Sequence, residues 1–227
     1  MFQIDTDSDL VTYIASWTLI ELDINPEWKR RCQKEARDLI IKHVGPNASD
    51  LPVHEQIASL PMDALEEEMP ILDACVREAM RVHFTLTALR RNITDDLRVG
   101  DKVIEKGAFI AYNVTDANLD SRIYPQPETF DPDRFLVRHE DSKSQKPHPY
   151  VVWGAGEASH QMISQYVVFN HVTAGRNACP GMRVAKLQMK LLLTQILLSF
   201  NYKLVDENGK FPNPLPRPDH DVVHFVS

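Results

Sequence analysis

Cys179 stands between a Gly175-Arg176 turn and a Pro180-Gly181 pair, and a long apolar run from Met182 to Phe200 follows. That spacing presents a thiol at the mouth of a helix. Pro180 carries the fixed φ that suits a first helical position. A helix N-terminus offers free N–H groups and partial positive charge, which favour the thiolate, and Arg176 adds a nearby cation. Each effect lowers a thiol pKa, and the thiolate is the form that ligates a metal. Gly175 and Gly181 allow the backbone to approach a flat ligand closely, or to fold its N–H groups toward the sulfur. A lone cysteine near a helix start is more commonly a small buried apolar residue, so the whole octet from Ala174 to Gly181 carries the reading.

A second set of candidates is made of charges. Glu78 and Arg81, three residues apart, share a helix face. Glu27 and Arg30 have the same spacing and read as a solvated surface pair worth little. Glu78 and Arg81 differ in lying on an apolar helix upstream of Phe130-Asp131-Pro132-Asp133-Arg134-Phe135. Guanidinium forks from Arg81 and Arg134 suit one carboxylate. The three are therefore expected as a buried network, a structural lock rather than a catalytic group, in which removing one member strands buried charge.

The elements that must position these groups are legible in outline. Residues 7–43 read as two helices broken at Asn25-Pro26, with Asn25 a candidate cap. Residues 44–61 read as loop with a short helical piece. A strong helix is expected over Glu66 to His83, supported by a Met69-Pro70 start and by the spacing of Leu72, Cys75, Val76 and Met80. Strands are expected at Leu97-Val99, Lys102-Ile104 and Ala108-Tyr112, with turns at Gly100-Asp101 and Lys106-Gly107. Residues 116–135 read as irregular and Pro-rich, and 136–149 as charged. Pro212, Pro214, Pro216 and Pro218 hold the chain end extended.

The 227 residues fit one domain or a large part of one. A net charge of −7 argues against non-specific nucleic-acid binding. Three cysteines without CxxC spacing indicate neither a disulfide framework nor a zinc site, and a reducing compartment fits them. No stretch reaches the roughly 18 apolar residues of a membrane span, and no signal peptide opens the chain.

The run G-R-x-x-C-x-G followed by M-R-x-A-K-L-Q resembles the haem-thiolate loop and following helix of the cytochrome P450 family. Trp17-Thr18-Leu19 through Pro26-Glu27-Trp28 resembles the end of that family's long oxygen-binding helix and the start of its next helix. Phe130 to Phe135 resembles its F-x-P-x-R-F motif. The resemblance implies a mainly α fold with small β-sheets, here the C-terminal half of the P450 fold in the style of fungal microsomal members. It implies haem b with Cys179 as axial ligand to iron. Gly175, Arg176 and Gly181 would surround it, and Arg90 or Arg91 would meet a haem propionate, with a solvated arginine pair as the alternative. Asn177 departs from the Arg or His common in the family at that position, and Arg176 is expected to supply the charge. Asp5, Thr6 and Asp9 are candidates for the acid and alcohol that deliver protons to bound oxygen, or else capping residues of the helix. The implied reaction is insertion of one oxygen atom from O2 into an apolar organic substrate, with electrons from NADPH through a reductase. The alternative is a truncated, non-catalytic fragment of such an enzyme. A reductase would dock on a basic stripe of Arg183, Lys186 and Lys190, at i, i+3 and i+7 of the helix after the cysteine. The family location is the endoplasmic reticulum membrane, and the N-terminal half that carries anchor and much of the pocket is expected to be absent.

One segment breaks the pattern. Trp153-Gly154-Ala155-Gly156 looks like the aromatic-Gly-x-Gly turn that in the family runs directly into the arginine and cysteine. Removing Glu157 to Gly175 yields W-G-A-G-R-N-A-C-P-G, a continuous loop. Gly156-Glu157 can be encoded with a GTGAG splice donor, and Ala174-Gly175 with a CAG acceptor. Residues 157–175 are therefore expected to be an insertion, either a translated intron or a surface loop.

Overall fold

A computed structural model describes residues 6–85, 87–136, 150, 152 and 181–217. The fold is mainly helical with two small antiparallel sheets, the class expected from the sequence. The chain divides into two compact units.

The first unit is helical. Helix α1 spans Thr6–Ile24 and α2 spans Pro26–Val44, separated by Asn25. Pro26 starts α2 as expected, but the Asn25 side chain does not cap it. Its amide turns back and donates to Glu21 O at 2.9 Å and to Glu21 Oε2 at 3.2 Å. A short 3-10 turn at Pro46–Asp50 and helix α3, Val53–Ala58, follow. The helix expected over Glu66 to His83 begins at its Met69-Pro70 signal, as α5 at Pro70–His83, and Glu66 belongs to a separate helix, α4 at Met62–Glu67. The break has a local cause, because a residue preceding proline is pushed out of the helical region. Met69 is that residue, and Pro70 then opens α5. Helix α7, Asp133–Leu136, and helix α8, Met182–Ser199, complete the unit; α8 carries the apolar run read after Cys179.

Its core follows helical periodicity. Ile14, Thr18 and Leu22 of α1 lie four apart and are fully buried, with Thr18 Oγ1 donating to Ile14 O at 2.8 Å. Cys32, Ala36, Leu39 and Ile40 form the buried stripe of α2. Leu72, Cys75, Val76, Ala79 and Met80 do so on α5, and Met189, Leu193 and Leu197 on α8. Helix α5 packs on α1, α2 and α7, and most of its residues are buried.

The second unit holds the strands. Strand β1, Thr87–Arg91, pairs antiparallel with β4, Phe109–Asn113, in the register Thr87 to Asn113 and Arg91 to Phe109. Strands β2, Leu97–Val99, and β3, Lys102–Ile104, form a hairpin turned at Gly100 and Asp101, where Gly100 takes φ +61°. Asn92 anchors the hairpin base. Its amide nitrogen donates to the carbonyls of Asp95, Ile104 and Glu105, and its Oδ1 accepts from Thr94 N and Oγ1. Helix α6, Val114–Asn118, is capped by Asn113, whose side chain accepts from Thr115 N. No helix among the described residues is long and apolar enough to cross a membrane.

Candidate functional site

Helix α5 is built around charge it cannot expose. Glu78 and Arg81 have no accessible side-chain surface. Arg81 grips the carboxylate with two bonds, Nε to Oε2 at 2.8 Å and Nη2 to Oε1 at 2.7 Å. Asp131 donates its backbone N–H to Oε1 at 3.0 Å, and Arg134 Nε stands 3.4 Å from the same oxygen. Arg134 also lies 3.7 Å from Asp131 Oδ2. The structure thus brings together all three members of the network read from the sequence. It adds Asp131, which gives Glu78 a main-chain N–H and stands near Arg134 with its carboxylate. The Arg77 guanidinium sits 4.4 Å over the Phe135 ring and fastens α7 beside them.

Both ends of α5 are held by carboxylates the sequence did not single out. At its start, Glu35 of α2 accepts from Ile71 N at 2.7 Å and Leu72 N at 2.9 Å, satisfying N–H groups that a first helical turn leaves free. Burial pushes the Glu35 carboxyl up, against the pull of those two N–H groups and the Lys190 cation. At its end, His83 Nε2 meets Glu21 Oε1 at 2.7 Å. The imidazole stacks on Trp17 at 4.1 Å, and the His83 carbonyl accepts from Tyr13 Oη. Tyr13, Trp17 and Glu21 recur every four residues on α1. That period is visible in the sequence, but which helix it faces is not.

The two cysteines of this unit face each other. Cys32 Sγ and Cys75 Sγ are 3.6 Å apart, and both are fully buried. The Cys32 sulfur and burial together push the Cys75 thiol up, so it is held neutral. Among the described residues no three His, Cys, Asp or Glu side chains converge as a metal cage.

The model of the cytochrome P450 family matches residues 12–223. The chain belongs to this family. It is 28% identical over 202 residues to cytochrome P450 monooxygenase AacuE of Aspergillus aculeatus, across 87% of this chain and 36% of that protein. It is 27% identical over 202 residues to cytochrome P450 monooxygenase nsrP of Aspergillus novofumigatus, across 88% of this chain and 34% of that protein. A third relative, probable cytochrome P450 4s3 of Drosophila melanogaster, is 30% identical over 150 residues, across 66% of this chain and 26% of its own length. The chain spans about a third of the length of these curated relatives.

Several residues expected of a P450 fall outside the described residues: Asp5, Gly175, Arg176, Cys179 and the whole segment 157–175. Thr6 and Asp9 lie in the first four residues of α1, and Arg90 lies opposite Ile110 in the β1–β4 pair; their side chains are outside the description. Gly181 is an exposed turn residue directly before α8. Arg91 is exposed, donates from Nε to Gly107 O at 3.2 Å and lies over Phe109.

The basic stripe needs correction. Lys190 is only 5% exposed. Its Nζ donates to Glu66 O at 2.7 Å and lies 3.8 Å from Asp73 Oδ1, and burial pushes its pKa down. Arg183 is exposed but pairs with Glu66 at 2.8 Å. The spacing i, i+3, i+7 does place these cations on one side of α8. Lys190, the farthest of them, turns toward the α4–α5 junction and ties the helices together. Lys190 is therefore no part of a free docking surface.

Proposed function

We propose that this P450 chain carries the thiolate-ligand half of a monooxygenase that inserts one oxygen atom into an apolar organic substrate. The observation that carries the assignment of the ligand is the state of the other two cysteines. Cys32 and Cys75 are spent on each other inside the core, whereas Cys179 has Arg176, flanking glycines and the start of α8 three residues on. The chain's donor set thus fits haem b held through the Cys179 sulfur. A bound haem thiolate supplies electron density that favours O–O cleavage. The chain's own part is to aim and restrain. Arg176 and the start of α8 would favour the sulfur as thiolate, and Gly181, with the glycine before Arg176, would let the backbone come close to the macrocycle. The Glu78–Arg81–Arg134 network fixes α5 and α7, and Lys190 fixes α8 against α4 and α5. Of the two arginines proposed for a propionate, the engagement of Arg91 with Gly107 and Phe109 favours Arg90. Asp5, Thr6 and Asp9 remain the proposed source of the proton-delivering acid and alcohol.

The test is the absorption spectrum of the purified, haem-loaded chain, reduced and exposed to carbon monoxide. A band far to the red of an imidazole-ligated haem is expected. A band at the imidazole position would end the assignment. The red-shifted band without turnover of any apolar substrate would support the second reading of the sequence, a fragment that holds haem but does not complete a pocket.

Electrons are proposed to arrive from NADPH through a reductase at the endoplasmic reticulum membrane. Arg183 and Lys186 remain as the docking cations after the correction above. Exposed pairs such as Arg183–Glu66 are weak and exchangeable, so an acidic donor can compete for Arg183. Reversing both charges is expected to slow donor association about tenfold at low salt, and stopped-flow reduction at several ionic strengths measures it. An unchanged rate and salt dependence would place the donor elsewhere.

We also propose that Glu157 to Gly175 interrupts the loop as a translated intron. Sequencing of mature transcripts is expected to find Gly156 joined directly to Arg176, and uniform retention of the intervening codons would leave the surface-loop alternative.

A further inference from the structure

Cys32 and Cys75 are a matched pair in a core where no other described sulfur serves a purpose like theirs. They come from different helices, 43 positions apart, and meet at 3.6 Å. Their sulfurs would need to approach by only about 1.5 Å to reach the S–S bond length of roughly 2.05 Å. Cys75 is one helical turn before Glu78, so a bond here would tether α2 to the helix that carries the buried charge network.

We infer that Cys32 and Cys75 are a peroxide-oxidisable thiol pair that closes to a disulfide between α2 and α5. The oxidant is hydrogen peroxide. One sulfur, as thiolate, attacks a peroxide oxygen: an S–O bond forms, the O–O bond breaks, and the departing hydroxide takes a proton to become water. The second sulfur, also as thiolate, attacks the resulting sulfenic sulfur. The S–S bond forms, the S–O bond breaks, and a second water leaves. Two thiols and one peroxide give one disulfide and two waters, and the two electrons lost by sulfur are those gained by oxygen. Burial makes the first step slow, because it waits on local opening of the α2–α5 contact and on deprotonation of a thiol that its surroundings hold neutral. Once the α2–α5 contact closes again, proximity makes the second step fast, because it returns the resolving sulfur to the sulfenic sulfur. The order predicts that a sulfenic acid does not accumulate on either residue in the wild type.

The experiment uses the full chain, purified reduced and then treated with hydrogen peroxide. Remaining thiols are alkylated under denaturing conditions, and the protein is digested and mapped by mass spectrometry without reduction. The expected product is a peptide joining the Cys32 and Cys75 segments, lighter than its two parts by two hydrogen atoms and split by dithiothreitol. Recovery of both residues as alkylated thiols, as separate sulfinic acids, or cross-linked to Cys179 would overturn the inference. In a Cys75→Ser chain treated alike, Cys32 is expected to add dimedone, which traps sulfenic acid. A Cys32 inert to dimedone there, at a peroxide dose that cross-links the wild type, would overturn the pathway. The wild-type map decides the pair even if the variant does not fold.

Discussion

Replacing Glu78 with alanine is expected to cost the chain about 3–5 kcal/mol of stability, the range measured when one partner of a buried ion pair is removed. Whole domains of this size have only about 5–15 kcal/mol, so the variant should lose a large fraction of its margin against unfolding. The reason is the number of donors that lose their acceptor at once. Arg81 loses two bonds, and the Asp131 N–H and Arg134 lose the Oε1 they share. Arg81 is fully enclosed and cannot swing out to water, so its charge stays buried without the carboxylate that grips it at two atoms. Arg134 retains 14% exposure and has Asp131 as a second acid, so Arg134→Ala should cost visibly less than either Glu78→Ala or Arg81→Ala. The pairing also predicts non-additivity. A Glu78→Leu, Arg81→Leu double variant removes both charges and fills most of their volume, so it should be less damaged than the sum of the single changes. Urea unfolding followed by far-ultraviolet circular dichroism measures all four. Equal losses under about 1 kcal/mol for the three single variants, the scale of surface pairs, would show that the network is not the lock proposed.

That network was legible because the sequence displays its parts as side chains: an acid and an arginine one turn apart on an apolar helix, and a second arginine between two phenylalanines. The hairpin of Leu97–Val99 with Lys102–Ile104 was legible from Gly100, which the tight turn needs. What was not legible falls into two kinds. Some contacts are made by main-chain groups, such as Ile71 N and Leu72 N on Glu35, and these depend on where α5 starts. The apolar spacing runs on smoothly from Glu66, and only the effect of Pro70 on Met69 divides α4 from α5. Other contacts depend on which neighbour a helix face meets. Lys190 reads as a solvated cation because its spacing from Arg183 and Lys186 is periodic, yet its long stem is enclosed and its ammonium bonds Glu66 O. Glu21 and His83 each look like surface polar residues, and only the packing of α1 on α5 makes them partners. Helical period reports a face but not what that face touches.

Cys179→Ala is expected to abolish the red-shifted carbon monoxide band completely, while Cys32→Ala and Cys75→Ala leave its position unchanged. The contrast rests on what each sulfur is able to become. A metal ligand must be a thiolate. Cys75 is enclosed with the Cys32 sulfur against it, and its own thiol is pushed up, so ionising it would put charge into the α2–α5 core. Cys32 shares that enclosure and has no accessible surface. Cys179 is flanked by glycines, follows Arg176 and precedes a helix of 18 residues, whose N-terminal partial charge stabilises an anion. Alanine removes the sulfur and leaves that cationic setting in place, so haem can still enter but only with a different axial partner. The variant should therefore show a displaced band rather than simply less of the same one. Retention of the wild-type band in Cys179→Ala would refute the ligand assignment outright. Its loss in a Cys32→Ala or Cys75→Ala chain that keeps its helical circular dichroism would do the same from the other side, since neither side chain is placed to reach a haem without unfolding the contact that holds them together.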